Sequence, residues 1–254
     1  KHVSGKALYV DDLPEPSNLL HCYFGTSDVA HARILSMDLS AVERYPGVIK
    51  TLTARDIPGD NDISPMHTWD EPVLASDLVE FAGQPLFAVV AETRACARRA
   101  ARLAKVEYEE LTAVIDIETA LNRRSFVTEP QVMRQGDAAT ALSQSPRRLK
   151  GTIFTGGQDH FYLEGQVSMS VPREDGDILV LTSSQHPTEV QQLVANSLGI
   201  PIGAVDVEVR RMGGAFGGKE TQAAQWAIMT ALLASATGRP VKLRLDRDDD
   251  MRST

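Results

Sequence analysis

The sequence predicts an α+β fold divided over two domains. Three observations predict it. Strand and helix signals alternate along the 254 residues. The stretch from Gln84 to Ala91 (QPLFAVVA) is apolar almost throughout, the pattern of a strand buried on both faces. Near the end, a strand runs through a glycine-rich loop into a long apolar helix. With 43% hydrophobic and 24% charged residues, a chain of this length builds its own core without disulfide staples.

The elements follow in order. Ala7 to Val10 reads as a strand closed by the turn Asp11-Asp12-Leu13-Pro14, and Leu19 to Phe24 as a second strand ended by Gly25. Residues 38–43 read as a capped helical turn stopped at Pro46-Gly47, followed by a strand from Val48 to Thr53. Residues 55–72, rich in Pro, Asp and Gly, read as a long loop. After the apolar strand, Thr93 to Ala104 has the small apolar spacing of a helix, and residues 106–109 alternate as a strand. Residues 122–147 shift to scattered Arg, Gln, Ser, Pro and Gly and read as a linker. Strands are expected at 149–154, 166–171 and 178–182, then a helix from Thr188 to Leu198 with Gly199 as its stop. Val205 to Val209 alternates as a strand. A helix from about Glu220 to Ala236 ends at Gly238-Arg239-Pro240, and a strand from Val241 to Leu245 closes the chain. Both ends start or stop in structured sequence, so the chain reads as a piece of a longer polypeptide.

Charge and cysteine content narrow the function. Lys plus Arg is 26 against 34 for Asp plus Glu, a net charge of −8, which argues against a nucleic-acid partner. No apolar run approaches the roughly 18 residues of a membrane span, and the first residues lack the apolar core of a signal peptide. Two cysteines, Cys22 and Cys96, cannot hold an iron–sulfur cluster by themselves. Low cysteine use fits a reducing cytoplasm. The histidines His2, His21, His31, His67 and His186 are scattered and mark no metal site.

The stretch Arg211 to Thr221 (RMGGAFGGKET) carries the strongest signal. Its glycines permit positive φ and close approach of a bound group, and the N–H groups ahead of the next helix are free donors. This is an anion-binding device. Gly213, Gly218 and Lys219 partly match a phosphate-binding P-loop, but Glu220 stands where the magnesium-binding hydroxyl should be. A second unusual stretch is Gly156 to Glu164 (GGQDHFYLE). Asp159 beside His160 invites an acid–base or metal reading, but with no partner at metal-ligand spacing the pair reads as turn residues bonded to backbone. Gln185 lies just past a strand end, a usual place for a binding residue. The series Arg94, Arg98, Arg99, Arg102 and Lys105 reads as a solvated helix face, with a subunit contact as the alternative.

In this order, GGQDHFYLE, SSQH (183–186) and RMGGAFGGKE (211–220) resemble the molybdenum-binding part of the molybdenum hydroxylase (xanthine oxidase) family. The segments HVSGKALYVDDLP, AHARI, PGV, ARDIPG, EFAGQPLFAVVAE and VEYEEL resemble the same family's hammerhead-like domain, so the resemblance covers essentially the whole chain. It implies a hammerhead-like α/β domain over 1–121, a linker over 122–147 and the first part of a molybdopterin-binding α+β domain over 148–254. It also implies a molybdenum–pterin dithiolene cofactor with oxo, sulfido and hydroxo ligands, which hydroxylates hypoxanthine or xanthine with hydride passing to the sulfido.

The same resemblance implies residue roles. Gln185, 35 residues before Glu220 as in the family, would hydrogen-bond a molybdenum oxygen ligand. Gly214, Ala215, Phe216, Gly217 and Gly218 would form the cofactor loop, with the N–H groups of Phe216 and Gly217 near the metal's oxo ligand and the pterin. Glu220 would bind the purine and stabilise charge developing on it, as a carboxylate in a largely dry pocket with a raised pKa. The implied partners are the remainder of the molybdopterin subunit and an iron–sulfur/FAD subunit or segment carrying [2Fe-2S] and FAD. The implied assembly is a cytoplasmic dimer of heterodimers. The family's general base and its substrate arginine lie downstream, outside this chain. So does the second half of the pterin site. These residues, roughly the first third of a catalytic subunit, are therefore expected to be inactive alone and to expose apolar surface. Thr112 stands where the family often has Pro. The alternatives are an aldehyde or other N-heterocycle hydroxylase, a nucleotide-binding protein, and a non-catalytic interaction module.

Overall fold

A computed structural model describes every residue except His67. Two compact units emerge, one of residues 1–111 and 160–254, the other of residues 112–159.

In the larger unit the strands β1 (Leu20–Thr26), β2 (Ala32–Asp38), β3 (Val48–Thr53), β4 (Leu78–Val79), β5 (Pro85–Ala91) and β6 (Lys105–Glu110) come from the first half. Helices α1 (Ser40–Glu43) and α2 (Arg94–Ala101) lie between them in sequence. β5 is buried along its whole length, as its apolar run demands. It pairs antiparallel with β1 on one side and β3 on the other. α2 starts at Thr93, whose side chain accepts from the Cys96 N–H, and buries Ala97, Ala100 and Ala101. β2, β4 and β6 form a separate three-stranded antiparallel sheet.

The smaller unit, 112–159, holds α3 (Ile117–Arg123) and α4 (Ala138–Gln144). Asp116 and Asp137 cap them by accepting from the Thr119 and Thr140 N–H groups at 2.7 and 3.0 Å. None of its residues is buried. Ile115, Val127, Met133, Leu149, Ile153 and Phe154 all stand exposed. The expected strand at 149–154 does not form: a strand needs a ladder partner, and this segment is irregular and exposed.

Back in the larger unit follow β7 (Val167–Pro172), β8 (Ile178–Thr182), α5 (Pro187–Leu198), β9 (Val205–Glu208), α6 (Gln222–Thr237), β10 (Val241–Arg244) and α7 (Arg247–Ser253). One seven-stranded sheet runs β3-β5-β1-β10-β7-β8-β9, so strands from both halves of the sequence share it. The junction is a parallel pairing of β1 with β10, Leu20 opposite Val241. α6 is apolar on nearly every side and buried over residues 223–234. Left-handed glycines stop the helices as read: Gly199 after α5 (φ 66°) and Gly238 after α6 (φ 64°). One core contains Leu20, Phe24, Val90, Val194 and the α6 residues; a second contains Phe87, Val89 and the alanines of α2.

Trp226 is fully buried and packs against Phe24 with ring centroids 5.0 Å apart and planes tilted by 42°. Trp226→Ala is expected to destabilise the domain by about 3–5 kcal/mol through lost burial and the cavity left behind. A chemical denaturation midpoint read by circular dichroism checks it. A shift within error of wild type would mean that the site collapses around the void.

Three readings need correction besides the strand at 149–154. Residues 7–9 are irregular and 10–12 form a single 3₁₀ turn, because the Asp12 carboxylate takes the Tyr9 N–H at 3.0 Å and curls the chain. The chain ends in α7, not just after a strand: Asp248, Asp249 and Asp250 lie in that helix's first turn, where negative charge is favoured. β2 went unread because a bulge between Ile34 and Ser36 breaks its period-two pattern.

Candidate functional site

The glycine loop joins β9 to α6. Its backbone takes left-handed turns at Gly214 (φ 102°), Phe216 (φ 56°) and Gly217 (φ 98°). Left-handed backbone is unusual for a phenylalanine, and here the ring stands 76% exposed. A side chain at Gly218 would strike Tyr162 at 2.7 Å and His160 at 2.8 Å, so glycine is required there for packing. His160 lies beneath the loop, its Nε2 3.6 Å from where a Cβ on Gly217 would be.

The N–H groups of the loop divide into two sets. Gly213 donates to Glu164 Oε2 at 2.8 Å and Gly218 to the Ala215 carbonyl at 2.9 Å. Gly217 and Lys219 donate to Gln185 Oε1 at 3.0 and 3.4 Å. The N–H groups of Gly214, Ala215 and Phe216 have no acceptor among the described residues. Gln185, exposed at the end of β8, is tied back by its own N–H to the Lys219 carbonyl at 2.8 Å. Its side-chain oxygen is committed to the loop, which leaves its amide NH₂ as a donor.

Lys219 and Glu220 are neighbours with opposite surroundings. Lys219 is completely buried, its ammonium 3.2 Å from Glu164 Oε2, 2.9 Å from Ser183 Oγ and 4.7 Å from the centre of the Tyr162 ring. Burial pushes its pKa down, against the pull of the Glu164 charge. A P-loop lysine must face its phosphate; this one faces the core, so the nucleotide-binding alternative loses its cation. Glu220 is exposed, just ahead of α6. The dry pocket expected around it is not formed by the described residues.

A buried layer lies beneath the loop. Gln166 donates to the Gly218 carbonyl at 2.9 Å and to the Tyr162 hydroxyl at 3.1 Å. Tyr162 donates to Asp250 Oδ1 at 2.6 Å, and Asp250 Oδ2 accepts the Gln166 backbone N–H at 2.9 Å. Burial, with the Asp250 hydrogen bond, pushes the Tyr162 phenol far up. Sequence reasoning missed Glu164, Ser183, Gln166, Lys219's inward turn and Asp250. Gln166 Oε1 and Glu164 Oε1 are buried and accept no hydrogen bond among the described residues.

Arg94 and Arg98 grip the two oxygens of Asp246 at 2.6 and 2.7 Å, so this part of the basic face ties α2 to the start of α7. Among the described residues no cluster of three His, Cys, Asp or Glu side chains could hold a metal, and no helix is long and apolar enough to cross a membrane. His67 lies outside the described residues.

Three unpaired N–H groups, an uncommitted amide and no direct metal ligands describe a cradle for an oxygen-rich anionic group at a sheet end. A metal brought here on an organic carrier fits that donor set. A family model described as a molybdopterin cofactor-binding domain matches residues 122–254, and one described as the a/b hammerhead domain of aldehyde oxidase and xanthine dehydrogenase matches residues 4–112. The chain belongs to the aldehyde oxidase and xanthine dehydrogenase family of molybdenum hydroxylases. Xanthine dehydrogenase/oxidase of Rattus norvegicus is 42% identical over 252 residues, 99% of this chain and 19% of that protein. Aldehyde oxidase 2 of Mus musculus is 41% identical over 256 residues, 100% of this chain and 19% of that protein. Among solved structures, quinoline 2-oxidoreductase of Pseudomonas putida 86 aligns with a TM-score of 0.85 at 28% identity, over 98% of this chain and 34% of that one. Aldehyde oxidoreductase of Desulfovibrio gigas aligns with a TM-score of 0.85 at 26% identity, over 98% and 30%. The chain spans about a fifth of the length of the curated relatives it matches.

Proposed function

We propose that this chain is the opening part of the molybdopterin subunit of a xanthine dehydrogenase acting on hypoxanthine and xanthine. The observation that carries the reading is Glu220: an exposed carboxylate placed directly after the donor-rich loop, on backbone anchored by the buried Lys219. The loop N–H groups of Gly214, Ala215 and Phe216, with the Gln185 amide, would hold the cofactor by donating to its oxygen atoms. Gly217 and Gly218 would let the backbone come close to it. When bound, the cofactor supplies the two-electron redox and oxygen-transfer chemistry that no side chain here can provide. Glu220 accepts a hydrogen bond from a purine ring N–H, or donates one when protonated, and so orients the ring. Its bond to the ring strengthens as charge builds there. The general base and the orienting arginine come from outside these residues. FAD and [2Fe-2S] belong on a partner subunit or segment.

Aldehyde oxidation is the second reading, because aldehyde oxidase 2 and xanthine dehydrogenase/oxidase relatives are equally similar to this chain. The test uses the native full-length complex: molybdenum content by elemental analysis, then bleaching of the iron–sulfur absorbance by xanthine. Near-stoichiometric molybdenum with bleaching is expected. Molybdenum with bleaching by aldehydes alone would turn the assignment to the second reading, and a complex without molybdenum would overturn both.

A further inference from the structure

We propose that the pair formed by the fully buried Lys219 and the part-buried Glu164 is a clamp that sets the span of the glycine loop, which makes both of them positioning residues for the cradle. The inference rests on the cofactor reading above. One oxygen, Glu164 Oε2, takes three donors, two from the ends of the loop and one from the segment before Gln185. They are the Gly213 N–H at 2.8 Å, the Ser183 hydroxyl at 2.6 Å and the Lys219 ammonium at 3.2 Å. Gly213 opens the loop and Lys219 closes it, so a single carboxylate holds both ends. Ser183 belongs to the segment that carries Gln185.

The backbone of Lys219 completes the link. Its carbonyl accepts from the Gln185 N–H at 2.8 Å and the Ser184 hydroxyl at 3.3 Å, and its N–H reaches Gln185 Oε1 at 3.4 Å. Both ends of the loop that carries the free N–H groups, and the segment that carries Gln185, are therefore held by contacts that converge on this pair.

Stability alone does not account for an ion pair here. Burying two charges forfeits hydration, and apolar residues of similar volume often serve a fold as well or better. What a charged pair adds is a defined geometry: the carboxylate fixes the directions of three donors, and the ammonium must sit between Glu164 and Ser183 over the face of Tyr162. Side chains that hold the groups around a metal site without touching the metal commonly govern its affinity.

The test compares three full-length enzymes with wild type: Lys219→Met, Glu164→Gln and the double variant. Molybdenum and pterin per protein, and the thermal midpoint, are measured for each. Each single variant leaves one charge without its counter-charge and is expected to lose both stability and about ten-fold or more of its cofactor content. The double variant orphans no charge, so its midpoint is expected to recover towards wild type while its cofactor content stays low. Should the single variants fail to fold, the double variant decides. Cofactor content that recovers together with the midpoint would overturn the clamp, because charge balance alone would then explain the pair. Full molybdenum in Lys219→Met would overturn it as well. A wild-type enzyme lacking molybdenum and pterin would instead sink the cofactor reading and the clamp with it.

Discussion

Glu220→Ala in the full-length enzyme is expected to lower purine turnover by about 10²-fold or more, equivalent to about 3 kcal/mol of lost transition-state stabilisation. The structure separates this effect from unfolding. Glu220 is exposed and its side chain makes no hydrogen bond or ion pair among the described residues, while the anchoring at that point falls to Lys219. Removing the carboxylate leaves the loop, the start of α6 and the core contacts untouched. The thermal midpoint should therefore stay near wild type while kcat/KM for xanthine falls. Steady-state kinetics with xanthine and with an aldehyde in parallel give the check. Unchanged purine kinetics would remove Glu220 from the reaction, and an equal fall for both substrates would assign it a role other than purine recognition.

Gly217→Val is expected to cut the molybdenum content of the purified enzyme to about a tenth or less. The cause is torsional rather than crowding. Gly217 has φ 98°, a conformation that a β-branched residue adopts only under strain, whereas the nearest atom to an added Cβ is His160 Nε2 at an ordinary 3.6 Å. Relief of that strain turns the peptide, breaks the 3.0 Å bond from its N–H to Gln185 and moves the donors on either side. Gly218 is the opposite case: its added Cβ would collide with Tyr162 and His160, so substitution there damages the packing beneath the loop as well. Elemental analysis of a folded Gly217→Val enzyme settles the matter, and full molybdenum would refute the cradle at this position.

Much of this architecture was legible from local pattern. The strands at Val48–Thr53 and Ile178–Thr182 and the stops at Gly199 and Gly238 are found where period and punctuation put them, because each is decided by residues close in sequence. The candidate site was legible to the same depth. Glycine spacing marked the loop, and its place between strand and helix implied an anion cradle. What escaped was long-range. Glu164 and Lys219 lie 55 residues apart, and nothing local distinguishes a lysine that turns inward from one that reaches for phosphate. Asp250 is hidden in the same way: in a run of three aspartates only one is buried, and it is selected by Tyr162 and Gln166 from far upstream. The strand misread at 149–154 marks the converse limit, since pattern reports a tendency to pair and a ladder needs a partner.

The parallel pairing of Leu20 with Val241 governs how this sheet can be made. Closing it spans roughly 220 residues of chain, a contact of very high order and therefore a slow one. On the ribosome, β1 and its neighbours emerge long before β10, at the usual several residues per second. For that interval the sheet exists as two three-stranded pieces, β3-β5-β1 and β7-β8-β9, and the β1 and β7 edges that β10 will join are bare, with their rows of N–H and C=O groups open to any passing strand. Slow synthesis of the middle of the chain is thus expected to lengthen the time for which the β1 edge is open to aggregation.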